Sequence, residues 1–88
     1  MKIKIIVVDD DVIMLQAIKN MLTNNGCEVF ATTDAQDALD TIEEEDYDLI
    51  ISDIMMPYVS GIELLSSIKQ IKKDIPIIII SALDQQEV

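Results

Sequence analysis

Residues 47–61 read YDLIISDIMMPYVSG: an apolar run that ends on a carboxylate, Asp53, and passes into two methionines, a proline and a glycine. Tyr47 to Ser52 predicts a short strand, and its near-continuous apolar character predicts burial on both faces. A carboxylate where a buried strand runs out calls for a use. Taken singly, Pro57 and Gly61 are turn chemistry, and Met55 and Met56 are packing residues.

Outward from that stretch the chain alternates. Ile3 to Val8 predicts a β-branched strand buried on both faces. Met14, Ala17, Ile18, Met21 and Leu22 recur at helical spacing, and Gly26 closes that helix. Glu28 to Thr32 predicts a more polar strand, nearer an edge of the sheet. Thr33 and Gln36 form a capping box for a helix with Ala35, Ala38, Leu39 and Ile42 on one face. Ser60 and Glu63 form a second box, for a helix with Leu64, Ile68 and Ile71 inward. Ile75 to Ser81 predicts a fourth strand, with Pro76 tolerated near its start. The run Glu43 to Asp46 reads as a solvated helix end. Strands alternating with helices predict an α/β domain with a parallel sheet covered on both faces.

Composition narrows the class. Half of the 88 residues are apolar, and the core is expected to be aliphatic because only two Tyr and one Phe are present. The net charge of −11, from 17 acidic and 6 basic residues, argues against a nucleic-acid partner, which needs clustered Lys and Arg. The single cysteine, Cys27, cannot form an internal disulfide, and with no histidine there is no zinc set. The opening apolar run is too short for a signal peptide and no segment is long enough to span a membrane, so a cytoplasmic protein is expected.

In such sheets ligands bind outside the carboxyl ends of the strands. Asp9 and Asp10 follow the first predicted strand, Asp53 the third, and Ser81 ends the fourth, so residues distant in sequence are expected to converge on one rim. Clustered carboxylates repel and raise one another's proton affinity. A hard divalent cation relieves the repulsion, and Mg2+ is the expected ion because it prefers oxygen donors and needs few carboxylates. A carboxylate beside Mg2+ is also suited to attack a phosphoryl group. The bland readings are that Asp10 or Asp11 caps the next helix and that Ser81 is a turn residue. They leave the coincidence at one end of the sheet unexplained.

The sequence resembles the receiver domain of two-component response regulators. The resemblance is carried by "IIVVDDD" with Asp9 and Asp10, by "LIISDIMMPYVSG" with Asp53, by "IPIIIISAL" with Ser81, and by the intervening "NGCEVFATTDAQDAL". It implies a flavodoxin-like doubly wound sheet of order 2-1-3-4. It implies that Asp53 accepts a phosphoryl group from a histidine kinase, and that Asp10, Asp53 and the Met55 backbone carbonyl bind Mg2+. Asp9 helps, directly or through water. The Ser81 hydroxyl acts as a switch, and the Ala82 amide contacts the phosphoryl group. The implied role is signalling to an effector domain or output protein rather than enzymatic turnover.

The resemblance spans residues 1–88 but stops short of the family's last helix, strand and helix, and the lysine of the family's fifth strand has no counterpart. A receiver domain incomplete at its C-terminus is therefore expected, with its fourth strand as an outer edge open to homo-oligomer formation. Two alternatives stand beside this reading. One is a receiver-like fragment that works in assembly without phosphotransfer. The other is a phosphatase of the haloacid dehalogenase type with Asp9 as nucleophile, which leaves "SDIMMPYVSG" unexplained.

Overall fold

Seven elements alternate along the described residues of the computed structural model, which are 2–53, 61–71 and 74–80. In chain order they are β1 (Lys4–Val8), α1 (Val12–Asn24), β2 (Glu28–Thr32), α2 (Ala35–Glu44), β3 (Leu49–Asp53), α3 (Gly61–Ile71) and β4 (Ile77–Ile80). The strands form one parallel sheet of order β2-β1-β3-β4.

The period of two along a strand divides the core between the faces of this sheet. Ile6, Val8 and Ile50 point to one face, where Ala35, Ala38 and Ile42 of α2 and Leu64 and Ile68 of α3 cover them. Ile5, Val7 and Ile51 point to the other, where Leu15 and Ile18 of α1 cover them. The central strands β1 and β3 are thus buried on both faces, as their continuous apolar runs require, whereas β2 starts exposed at Glu28 and is only half-buried through Val29, Phe30 and Ala31.

The structure selects the inward face of α1, which the spacing left open, and corrects the cap of α2. The inward face of α1 is Leu15, Ile18 and Leu22, while Met14, Ala17 and Met21 are exposed. Both sets share helical spacing, so period alone does not choose between them. The helix begins after the Asp11 cap, whose carboxylate accepts from the Ile13 amide at 3.0 Å and the Met14 amide at 3.3 Å, and from that start Leu15 falls on the sheet. The α2 cap is Asp34 rather than Thr33: its carboxylate accepts from the Gln36 amide at 3.0 Å. The Ser60 cap lies outside the described residues. The fourth strand is shorter than expected, because Pro76 and Ile75 precede the ladder. Even so, the Pro76 carbonyl accepts from the Ile50 amide at 3.1 Å, and Ile75 is part of the core.

Lys4 ties the end of the sheet away from Asp53. Its amide donates to the Asp48 carboxylate at 2.8 Å, its ammonium pairs with Glu45 at 2.9 Å, and it lies 4.9 Å from the Tyr47 ring centroid. The Glu45 hydrogen bond raises the Lys4 pKa, and burial raises that of Tyr47. Lys4 and Glu45 are both substantially exposed, so this pair contributes little to stability. Among the described residues no helix is long and apolar enough to cross a membrane.

Candidate functional site

The register builds the site. Val8 of β1 pairs with Ser52 of β3, so the next residue on each strand, Asp9 and Asp53, come side by side at the carboxyl end of the sheet. Asp53 is the last residue of β3 rather than the first beyond it. Asp9 and Asp53 are each 4% exposed, while Asp10 is open to solvent. One carboxylate oxygen from each of Asp9, Asp10 and Asp53 lies within 4.8 Å of the others. Sequence-distant acids therefore meet on one rim.

The backbone fixes the orientation of Asp9. Its amide donates to the Thr32 carbonyl at 3.2 Å, extending the ladder with β2 by one residue. Its carboxylate accepts from the Asp11 amide at 2.9 Å. Asp11 was expected at most to cap a helix. It does so, and its amide also aims Asp9. The signal for this lay in the Asp9-Asp10-Asp11 run, where the residue two beyond a strand-end acid turns back as the chain enters a helix. On the β2 side, the Thr32 hydroxyl donates to Asp37 at 3.1 Å and accepts from the Asp34 amide at 3.0 Å, which holds that loop in place.

Burial raises the Asp9 pKa above its ordinary value, against the lowering effect of the Asp11 amide, and the neighbouring carboxylates Asp53 and Asp10 push it further up. A raised folded-state pKa means that the charged form is disfavoured by folding. The associated stability is full below the unfolded carboxylate value and is lost as pH rises through the folded one. Without divalent cation, Asp9→Asn is therefore expected to melt higher than the unsubstituted chain at pH 7. The gain should shrink as pH falls into the carboxylate range, where Asp9 itself becomes neutral. Asparagine retains an oxygen for the Asp11 amide. Thermal melts across pH check this, and an Asp9→Asn chain that melts lower at pH 7 would contradict it.

The donor set suits a hard cation: oxygen ligands alone, two of the three buried, with no histidine or cysteine among them. Met55, Ser81 and Ala82 lie outside the described residues.

A parallel α/β sheet of order 2-1-3-4 with acids gathered at its carboxyl rim is the flavodoxin-like architecture. Residues 5–88 match the family model of the response regulator receiver domain, and the chain belongs to that family. Among curated relatives, the protein-glutamate methylesterase/protein-glutamine glutaminase of Clostridium acetobutylicum is 45% identical over 87 residues, which cover 97% of this chain and 25% of that protein. The receiver domain of the Francisella response regulator 1452 is 40% identical with a TM-score of 0.85, covering 98% of this chain and 71% of that one. The Thermotoga maritima response regulator TrrA, solved in complex with Mg(2+)-BeF, is 37% identical with a TM-score of 0.86, covering 96% of this chain and 72% of that one. The chain spans only 25% and 38% of the length of the first two curated relatives it matches. Family membership ties the chain to two-component signalling and leaves the haloacid dehalogenase reading without support.

Proposed function

We propose that residues 1–88 form a cytoplasmic phosphoacceptor unit that takes a phosphoryl group from a histidine kinase onto Asp53 and passes the signal to an effector domain or output protein, without being an enzyme. The observation that carries this reading is the buried Asp53 carboxylate beside Asp9 and Asp10 at the carboxyl rim of the sheet. An Asp53 carboxylate oxygen attacks phosphorus. The bond from phosphorus to the donor imidazole nitrogen breaks, that nitrogen keeps the electron pair, and the product is an acyl phosphate on Asp53 with no change of oxidation state.

Asp9, Asp10, Asp53 and the Met55 backbone carbonyl are the proposed Mg2+ ligands. Bound there, Mg2+ supplies positive charge against the attacking and transferred oxygens. Asp9, oriented by the Asp11 amide, would offer a carboxylate oxygen to the ion. Asp10, exposed at the mouth, meets solvent and the incoming group. Ser81 is proposed to donate its hydroxyl to a phosphoryl oxygen, and Ala82 its amide.

The test is Mg2+-dependent uptake from acetyl phosphate, read by intact mass. The unsubstituted chain should gain a phosphoryl group with Mg2+ and none with EDTA. Asp10→Ala should lose Mg2+ binding in calorimetry and phosphoryl uptake with it, while keeping its fold or gaining slightly in stability, because like-charge repulsion falls. An Asp10→Ala chain with undiminished Mg2+ affinity would mean that the ion sits elsewhere.

Strand β4 supports a homo-oligomeric partner. Among the described residues it is an outer strand, pairing with β3 alone, and Ile78 and Ile79 are 49% and 37% exposed. An apolar edge of this kind recruits another strand, and a second copy of the chain carries the same edge. Light scattering over a dilution series should show a dimer that dissociates on dilution, with melting temperature rising with concentration. A monodisperse monomer with a concentration-independent melt would refute it.

A further inference from the structure

The turn from α1 into β2 holds the sequence's single Asn-Gly pair, Asn25-Gly26, outside the acidic site. Both residues are exposed. Asparagine is a chemically labile residue, most of all before glycine, which has no side chain to shield its own amide nitrogen. The Gly26 nitrogen attacks the Asn25 side-chain carbonyl carbon, Cγ. An N–C bond forms, the Cγ–Nδ2 bond breaks, and ammonia leaves with the proton given up by Gly26. Water then opens the succinimide at either carbonyl, giving aspartate or isoaspartate. The chain has gained water and lost ammonia, and nothing is oxidised or reduced.

The fold holds both reacting nitrogens. The Gly26 amide donates to the Thr23 carbonyl at 3.0 Å, and Asn25 Nδ2 donates to the Met21 carbonyl at 2.8 Å. The Asn25 and Cys27 amides both donate to the Leu22 carbonyl at 3.1 Å. Asn25 sits at φ −96° and ψ 15°, and Gly26 at φ +86°, the left-handed closure of a helix end. Ring closure requires ψ of Asn25 to rotate, which withdraws Gly26 from Thr23 and Asn25 from Met21. The last turn of α1 must therefore open first.

We propose that Asn25 is a deamidation site gated by the C-terminal cap of α1, and that its conversion is a one-way loosening of the α1–β2 junction. The amide that caps the Met21 carbonyl becomes a carboxylate facing the carbonyl end of a helix with no basic residue in its last turn, the unfavourable pole for an anion. Isoaspartate also lengthens the backbone just before β2, whose first residue is set by the Glu28 amide donating to the Ile3 carbonyl at 2.8 Å.

Incubation at mildly alkaline pH, native and in urea, with peptide mapping by mass, tests the gate. Conversion at Asn25 is expected in both, and at least about tenfold slower in the native chain, a factor equal to ~1.4 kcal/mol of local opening. Asn25→Gln should stop it under both conditions. Equal native and urea rates would overturn the gate, and no conversion in urea would overturn the site. Asn25→Asp, one of the two products, should melt below the unsubstituted chain. A variant melting at the same temperature or higher would overturn the loosening.

Discussion

Asp53→Asn is expected to take up no phosphoryl group from acetyl phosphate in the presence of Mg2+, whereas Asp9→Asn is expected to retain uptake. The two carboxylates sit side by side, equally buried, so position alone does not rank them as nucleophiles. The resemblance does. The Asp11 amide holds one oxygen of Asp9, which orients that carboxylate within the cluster. Asp53 ends its strand at the rim, inside the Asp-x-x-Met-Pro stretch that carries the resemblance to receiver domains. Intact mass of the two variants after the same incubation checks this. Phosphoryl uptake surviving in Asp53→Asn would remove the proposed role.

Ile50→Ala is expected to abolish, or nearly abolish, cooperative folding at 37 °C. Ile50 is fully buried on the interior strand β3, in the cluster that joins the sheet to α2 and α3. Truncating a buried Ile to Ala costs ~2–5 kcal/mol, the upper end where the site cannot collapse. A site flanked by β1 and β4 on either side and two helices above has little freedom to close. Total stability is about 5–15 kcal/mol for an ordinary domain, and a chain of 88 residues buries a smaller share of its surface than larger ones. At roughly 4–8 °C per kcal/mol for a domain of this size, the melt should fall by ~10 °C or more. Met21→Ala is the control. Met21 is 56% exposed on α1, so its truncation should change stability by no more than about 0.5 kcal/mol. Equal melts for the two variants would mean that the sheet does not carry the core as described.

The parallel sheet was legible because the strong signals were of the kind that tertiary context seldom overrides, whereas its order, 2-1-3-4, came only with the resemblance to receiver domains. Runs rich in Ile and Val at 3–8 and 75–81 bracketed helical spacings, and that alternation leaves little besides a parallel sheet. The face of α1 was not legible. With Val12, Ile13, Met14, Leu15, Ala17, Ile18, Met21 and Leu22 all apolar, the helix offers more than one stripe, and only contact with Ile5 and Val7 selects Leu15 over Met14. The α2 cap shifted by one residue because Thr33 and Asp34 are both good caps, and Asp34 also gains a hydrogen bond from its amide to Thr32. The convergence of Asp9, Asp10 and Asp53 could be read from strand ends alone, since parallel strands place their carboxyl ends together. The use of the Asp11 amide to aim Asp9 follows the tendency of Asp side chains to accept from the amide two residues on, a signal that the Asp9-Asp10-Asp11 run carries but that does not by itself single out this contact.

The central claim is that one carboxylate of this cluster, Asp53, accepts the phosphoryl group and does so with Mg2+. Reductive trapping of the acyl phosphate by borohydride, after incubation of the unsubstituted chain with acetyl phosphate, locates it by tandem mass spectrometry. The account predicts the label on Asp53 alone, present with Mg2+ and absent with EDTA. A label on Asp9 or Asp10, or one on Asp53 that is undiminished by EDTA, would contradict it.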